Sequence, residues 1–182
     1  MQTILLTWNP SKNKWKYAEE LAEKCAHTNS PEFRWSVVRK DIQELDRFFL
    51  LRQGSENSGI VGGGYFVSGV ESGPHWDKDK GGELRYARIV FEWLNPEVPL
   101  VQRETLLSNF CDQEWNSWDV QQSGVRLPDQ IAELLEQQIS GILENTDVYY
   151  RLSEPPSIDV DLPEFETQEG KTRGMVESCV LE

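Results

Sequence analysis

Three consecutive glycines, Gly62 to Gly64, lie inside "GIVGGGYFVSG" (59–69), a stretch that otherwise has the pattern of a buried β-strand. Glycine in the middle of a strand packs poorly and usually marks a β-bulge or a close approach by a ligand or another backbone. The preceding stretch "DRFFLLRQG" (46–54) predicts a second buried strand that ends in a turn. The two together predict a hairpin over "QGSENSG", so the chain is expected to fold around a β-sheet with an irregular central strand.

Apolar periodicity predicts the other elements of the fold. Alternation or a short apolar run indicates strands, and a one-sided stripe at helical spacing indicates helices. Further strands are predicted over 3–9, 34–38 and 85–94, and helices over 16–27 and 127–143. About five or six strands, one helix after the first strand and one long helix near the end predict an α+β fold: a curved β-sheet or small β-barrel with flanking helices.

Length and composition divide the chain into two parts. Residues 1–150 are long enough for one domain with a buried core. After Tyr150 the sequence becomes acidic, proline-containing and aperiodic, which predicts that 151–182 is a flexible linker or tail.

The charge distribution limits the partners that the chain can bind. The formal net charge is −13, which disfavours a polyanionic partner. Residues 1–52 nevertheless carry nine Lys or Arg against seven Asp or Glu, whereas 53–150 carry six against sixteen. Only the N-terminal third can therefore present a basic face. Tight binding to phosphates regardless of sequence is not expected, but recognition of one base in a pocket is compatible with this pattern.

Targeting signals and cysteine spacing indicate a compartment. No apolar run approaches the roughly 20 residues that span a bilayer. The three cysteines, Cys25, Cys111 and Cys179, are widely spaced, which favours reduced thiols over a disulfide framework or a zinc site. We expect a soluble cytoplasmic protein with no membrane partner.

Catalytic and cofactor motifs are sparse. The chain has two histidines, His27 and His75. His27 lies at the end of the first predicted helix, where a capping role is expected, and no Ser, Cys or metal-binding cluster surrounds His75 in sequence. Phosphate-loop and dinucleotide motifs are absent from the sequence. A hydrolase that uses His75 with Asp77 is a weak alternative, because a base still needs a nucleophile or a metal. We therefore expect no enzymatic activity, no cofactor and no metal.

The seven tryptophans carry the strongest functional signal. Trp93 lies on the apolar face of a predicted strand and is expected in the core, whereas most of the others fall at strand ends or in loops. Short polar residues lie near them in sequence, namely Asn9, Ser36, Asp77 and Ser123. Flat rings beside hydrogen-bonding groups suit a pocket for an extruded base, where stacking holds the base and a few hydrogen bonds identify it.

The order of four segments resembles a known family. "TILLTWNPSKNKW", "RWSVVRKDIQELDRFFLLRQGSENSGIVGGGYFVSG", "GPHWD" and "QQSGVRLP" are similar to the EVE-like domains of the PUA-related superfamily. The form they most resemble is the reader module at the N-terminus of modification-dependent HNH endonucleases, over about residues 2 to 140. Family domains have a Trp-Asp-Gly-Val-Arg-like stretch, a Gly-Asp step that opens a strand, and an aliphatic-Gly strand. The corresponding residues here are Trp35-Ser36-Val37-Val38-Arg39, Leu45-Asp46 and Ile60-Val61-Gly62.

The resemblance implies a small barrel-like sheet that receives a flipped modified base, typically a 5-substituted cytosine in DNA. Residues at the matching positions become candidates for the base-binding pocket: Trp8, Asn9, Trp15, Trp35, Ser36, His75, Trp76, Asp77 and Trp118. His75 and Trp76 are expected to close over the flat ligand, with Asp77 accepting a hydrogen bond from an exocyclic amine. Candidates for phosphate contacts are Arg39, Lys40 and Arg52.

The resemblance does not extend to the nuclease. An HNH fold needs its own histidines, and residues 151–182 contain none. The acidic tail is similar to the linker that precedes such a nuclease, which suggests the reader half of a restriction system whose HNH nuclease is missing or on another chain. The alternative is a small-molecule or protein-binding module that keeps the EVE/PUA fold without a DNA role, which the acidity of 53–150 favours.

Overall fold

The structure is a computed structural model that describes residues 1–12, 15, 18–27, 32–54, 56–76, 79, 81–110, 115 and 118–145. These residues form eight strands and three helices. The strands are β1 (Thr3–Trp8), β2 (Phe33–Ser36), β3 (Arg47–Arg52), β4 (Gly59–Phe66), β5 (Glu71–Pro74), β6 (Glu83–Leu94), β7 (Val101–Gln102) and β8 (Val125–Arg126). The helices are α1 (Ala18–His27), α2 (Arg103–Asn109) and α3 (Asp129–Asn145). The predicted tail, 151–182, lies outside the described residues.

The strands form one mixed sheet. Its order is β2-β6-β4-β3-β1-β8, with β5 beside β6 and β7 beside β4. Strands β1 and β3 are parallel, and the other described pairs are antiparallel. The predicted hairpin is confirmed, because β3 and β4 pair directly across the turn.

The glycines of β4 mark a bulge and a close approach of two backbones, as the sequence predicts. The register between β4 and β6 shifts between Gly63 and Gly64. A Cβ atom on Gly64 would lie 2.0 Å from the carbonyl oxygen of Val90. A side chain cannot fit there, so the glycine allows β6 to approach closely while the sheet bends.

The bent sheet brings its two edges together. The backbone N–H of Val38, just after β2, donates to the carbonyl oxygen of Ser123, just before β8, at 3.0 Å. On the other side, the N–H of Gly124 donates to the carbonyl oxygen of Leu5 in β1, also at 3.0 Å. The segments at opposite ends of the strand order therefore meet, and the predicted α+β fold with a curved, barrel-like sheet is confirmed.

Two apolar cores lie on the two faces of this sheet. On the α1 face, Leu21 and Cys25 of the helix pack against β-strand residues such as Phe48 and Phe91. On the α3 face, the helix stripe that includes Ile131 and Leu135 packs against alternate strand residues. Trp93, predicted as core, is 4% exposed and belongs to the α3 face. Neighbouring residues of a strand normally point to opposite sides. Phe91 and Trp93 are two residues apart in β6 and would share a face by that rule, but the register shift between them puts Trp93 on the other face.

A strained turn joins the start of β3 to the N-terminus. Leu45 adopts φ 69°, a left-handed conformation that favours glycine. The next residue, Asp46, is 4% exposed and accepts hydrogen bonds from the backbone N–H of Gln2 and of Gln43, both at 2.9 Å. Leucine therefore occupies a backbone conformation that glycine adopts without strain.

Candidate functional site

Three tryptophans from separate segments meet on the α1 face of the sheet. Trp8 ends β1, Trp35 lies in β2, and Trp15 precedes α1. The ring centroid of Trp15 is 5.5 Å from that of Trp8 and 5.2 Å from that of Trp35, and both contacts are edge-to-face. We call these three residues the tryptophan cluster. These three tryptophans converge, but their rings contact one another, so the open base-sized pocket that the sequence predicts between them is not seen in this arrangement.

Two phenylalanines complete the walls around Trp15. Its ring lies 5.5 Å from Phe33 and 6.0 Å from Phe91. Phe33 and Trp35 share a face because they are two residues apart in β2, and Phe91 comes from β6. Sequence reasoning missed both phenylalanines, although the i, i+2 spacing of Phe33 and Trp35 was a usable signal.

Ser36 does not join the cluster. It follows Trp35 directly in β2, so its side chain points to the other face of the sheet. Its pairing partner in β6 is Tyr86, whereas Trp35 pairs with Ala87.

A serine hydroxyl holds Trp35 in place. Trp35 Nε1 donates to Ser123 Oγ at 3.0 Å, and the backbone N–H of Thr7 donates to the same oxygen at 3.1 Å. Ser123 thereby ties the indole of β2 to the backbone of β1 where the two sheet edges meet. Ser123 is one of the short polar residues that lie near the tryptophans in the sequence.

The indole of Trp15 is the unusual member of the cluster. Its Nε1 is buried and has no hydrogen-bond partner in the structure. A buried donor without an acceptor costs about 1–3 kcal/mol relative to one that is paired. The Trp15 side chain is thus held by packing, whereas the Trp35 side chain also donates a hydrogen bond; the backbone carbonyl oxygen of Trp15 accepts one from the N–H of Ala18 at 3.3 Å.

Asn9 is engaged in a local turn. Its Oδ1 accepts a hydrogen bond from the backbone N–H of Ser11 at 3.0 Å, and its carbonyl oxygen accepts one from Lys12 at 3.1 Å. This arrangement ends β1 immediately after Trp8. The side chain that was expected to read a base edge therefore shapes the loop beside the cluster.

His75 and Trp76 lie at the end of the β5–β6 hairpin. Their ring centroids are 5.4 Å apart, and both residues are partly exposed. Pro74 pairs with Glu83, four residues along β6 from Ala87, the partner of Trp35. At about 3.3 Å per residue this is about 13 Å along the sheet. The structure does not bring the pair into the tryptophan cluster, and its role as a lip stays a prediction; Asp77 lies outside the described residues.

Tyr86 anchors the backbone that leads to His75. Its hydroxyl donates to the carbonyl oxygen of Pro74 at 2.6 Å, and burial raises the pKa of Tyr86 above its ordinary value. The guanidinium carbon of Arg34 lies over the ring face, 3.9 Å from the ring centroid. The start of the hairpin turn is therefore fixed by a buried ring.

Trp118 belongs to the other face of the sheet. It is 1% exposed and packs against Phe110, at 5.5 Å between centroids, and Trp115, at 6.4 Å. These contacts are part of the α3-face core. The structure thus separates Trp118 from the tryptophan cluster, because the sheet lies between them.

The expected phosphate contacts are largely engaged within the fold. Arg39 forms a two-pronged ion pair with Asp41, whose pKa this hydrogen bond lowers. Arg52 Nη1 donates to the carbonyl oxygens of Pro96 and Glu97 at 2.7 and 2.8 Å. Lys40 is exposed. Arg52 also places its guanidinium carbon 5.7 Å from the Trp8 ring, so it adds positive charge at the edge of the cluster.

Acidic side chains lie on both sides of the sheet. Helix α3 carries Asp129, Glu133, Glu136 and Glu144 on the face opposite the tryptophan cluster. Helix α1, on the cluster's own face, carries Glu19 and Glu20 in its first turn, and Glu20 is paired with Lys24. The acids of 53–150 that lie in α3 therefore do not surround the cluster.

The described residues lack the features of a metal site and of a membrane-spanning helix. No group of three or more His, Cys, Asp or Glu side chains among them is arranged to hold a metal ion. None of the helices in the described part of the chain is long and apolar enough to cross a membrane.

Similarity to known proteins is found at the level of the fold. No family model matches the chain, and no curated protein matches its sequence. The human THYN1 protein, solved in complex with 5-methylcytosine-containing DNA, matches with a TM-score of 0.52 and 12% identity over 78% of this chain and 98% of that one. A Pseudomonas putida protein matches with a TM-score of 0.51 and 14% identity, over 75% and 99% of the two chains. A Leishmania major protein described as hypothetical matches with a TM-score of 0.50 and 13% identity, over 78% and 96%. The fold is of the PUA/EVE-like type.

Proposed function

We propose that this chain is a non-catalytic reader of modified nucleic acid. It binds a flipped modified base, a 5-substituted cytosine in DNA, at the tryptophan cluster. The observation that carries the proposal is the convergence of Trp8, Trp15 and Trp35 from three segments, beside the hydroxyl of Ser123. Aromatic walls of this kind hold a base by stacking, and a small number of polar groups then identify its edge.

The choice of ligand has independent support. THYN1, which shares the fold, was solved with DNA that contains 5-methylcytosine. The N-terminal segments of the chain resemble modified-base readers. Because identity to THYN1 is 12%, this support concerns the kind of ligand, and the residues that contact it are argued from this chain alone.

The electrostatics favour binding through the base over binding through the backbone. Of the three residues expected to contact phosphates, Arg39 is paired with Asp41 and Arg52 donates to two carbonyl groups, whereas Lys40 is exposed. Binding that neutralises few phosphates has a shallow salt dependence. We therefore propose that affinity depends on the modified base and that unmodified duplexes bind weakly.

The chain also fits a larger assembly. We propose that 1–150 is the reader domain and that 151–182 is an acidic linker. A separate HNH nuclease chain would supply cleavage in a restriction system. The support is the sequence resemblance to reader modules of modification-dependent endonucleases. Co-purification with the product of a neighbouring HNH reading frame tests this part.

A binding comparison tests the central proposal. Three duplexes of one sequence, carrying cytosine, 5-methylcytosine or 5-hydroxymethylcytosine at one position, are titrated at low salt and followed by fluorescence anisotropy. The chain is expected to prefer a modified duplex. Stacking is worth about 1–3 kcal/mol per base, so Trp35→Ala should weaken that binding by about 5- to 150-fold.

Trp115→Ala is the matched control. Trp115 is half-buried like Trp35, but it packs in the α3-face core. Its substitution should leave the preference for the modified duplex intact. Equal binding of all three duplexes by the unchanged chain, or no binding of any, would rule out the proposed function.

The second candidate is a binder of a free heterocycle such as a modified nucleoside. The internal pairing of Arg39 and Arg52 favours it, because a free ligand needs no phosphate contacts. Calorimetric titration with nucleosides separates the two candidates. Nucleoside binding without any duplex binding would select the second.

A further inference from the structure

The tryptophan cluster is closed in the free chain. Aromatic rings in contact have centroids about 4.5–7 Å apart. Trp15 lies 5.5 Å from Trp8 and 5.2 Å from Trp35, so no further ring fits between Trp15 and either neighbour. A base that is to lie between Trp8 and Trp35 must take the place of the Trp15 ring.

The hydrogen bonding of the cluster distinguishes which ring can leave. Trp35 is fixed by its bond to Ser123 and by its position in β2. Trp15 lies outside the described strands and helices, and its buried Nε1 has no partner. Moving Trp15 into water would satisfy that donor, which lowers the free energy needed to open the cluster.

We infer that the indole of Trp15 occupies the seat of the flipped base in the free protein and is displaced when the base enters. This inference rests on the proposed function. The seat then has the outline of the fused two-ring system of indole, which is larger than a single pyrimidine ring. It suits a cytosine enlarged at carbon 5 by a group bigger than methyl, with hydroxymethyl as the smallest example.

The surroundings of Trp15 agree with a seat for a flat ring. Four aromatic side chains contact it, namely Trp8, Phe33, Trp35 and Phe91. Trp15 therefore acts as an internal substitute for the ligand. A ligand that must compete with Trp15 has a weaker apparent affinity. Its apparent Kd is its intrinsic Kd divided by the fraction of molecules in which the cluster is open.

Removal of the substitute should expose the seat. If the open state is populated at about 10% or less, Trp15→Ala should bind 5-hydroxymethyl-2′-deoxycytidine at least about tenfold more tightly than the unchanged chain does. Free indole should compete for the same seat. Affinity should rise from 2′-deoxycytidine through the 5-methyl to the 5-hydroxymethyl nucleoside. All are measured by calorimetry on the full chain.

Trp115→Ala is again the matched control, because Trp115 is also half-buried and its Nε1 also lacks a partner. It should gain no nucleoside binding. If Trp15→Ala binds indole but no nucleoside, the hollow is ordinary core and the inference is overturned. The same conclusion follows if it binds nucleosides no more tightly than the unchanged chain.

A measurement on the intact cluster covers the case in which Trp15→Ala fails to fold. Acrylamide quenching of the unchanged chain and of Trp15→Phe is compared with and without the modified duplex. The inference requires the duplex to make the Trp15 signal more accessible to quencher. A Trp15 signal that stays shielded in the complex overturns it.

Failure of this inference is distinguishable from failure of the proposed function. If Trp15→Ala binds nucleosides but the unchanged chain binds no duplex, the inference about Trp15 stands and the proposed DNA-binding function fails. If the unchanged chain prefers the modified duplex but Trp15 stays shielded from quencher, the proposed DNA-binding function stands and the inference about Trp15 fails.

Discussion

Ser123→Ala is the substitution for which the structure gives the clearest magnitude. Ser123 Oγ accepts two hydrogen bonds, from Trp35 Nε1 at 3.0 Å and from the backbone N–H of Thr7 at 3.1 Å, and both are partly buried. Alanine leaves both donors without that acceptor. At about 1 kcal/mol for each bond, the free energy of unfolding should fall by about 2 kcal/mol.

The expected loss is measurable by thermal or urea unfolding of the purified chain. For a domain of this size, about 2 kcal/mol corresponds to a Tm lower by about 4–8 °C. Ser108→Ala is the control, because Ser108 is exposed and its hydroxyl donates to the carbonyl oxygen of Glu104 in its own helix. That change should stay within about 0.5 kcal/mol. A loss below about 0.5 kcal/mol for Ser123→Ala would contradict the hydrogen-bonding role described for the meeting of the sheet edges.

Three further changes test other parts of the fold. Leu45→Gly should raise the free energy of unfolding by up to about 1 kcal/mol. Glycine removes a left-handed backbone strain of about 1–2 kcal/mol, and the greater freedom of glycine in the unfolded state offsets part of that gain. An unchanged or lower urea midpoint would contradict the strained turn. Gly64→Ala should destabilise by about 1–3 kcal/mol, because the new methyl would collide with the carbonyl of Val90, whereas Gly69→Ala, with nothing nearer than 3.8 Å, serves as its control. Burial raises the pKa of Tyr86 in the folded chain, so its contribution is complete below about pH 10 and is lost as pH rises further. The stability difference between the unchanged chain and Tyr86→Phe should therefore shrink between pH 9 and 11, and a constant difference would argue against burial as the cause.

The sequence locates the long elements because their apolar patterns are pronounced. The alternation in 85–94 corresponds to β6, and the stripe in 127–143 corresponds to α3. The short strands are not predicted by such patterns. Strand β8 has two residues, and β5, "ESGP", has no apolar residue to mark a face. Their positions are set by backbone pairing with longer neighbours, which a local pattern does not record.

The membership of the candidate site is less predictable than its existence. Loop-edge tryptophans indicate an aromatic cluster, but the face of the sheet decides which of them meet. Trp35 and Trp118 lie on opposite faces, and their positions in sequence give no sign of it. Asn9 is beside the cluster, yet its side chain forms a turn with Ser11, which is the local bonding that asparagine commonly makes after a strand.

The central claim is that a modified cytosine leaves the DNA stack and enters the tryptophan cluster. The most direct measurement places 2-aminopurine beside the modified cytosine in a duplex, because its fluorescence rises when its neighbour unstacks. The unchanged chain is expected to raise the fluorescence of the modified duplex, and Trp35→Ala is expected to leave it unchanged. Saturating binding to the modified duplex with no rise in fluorescence would contradict the central claim.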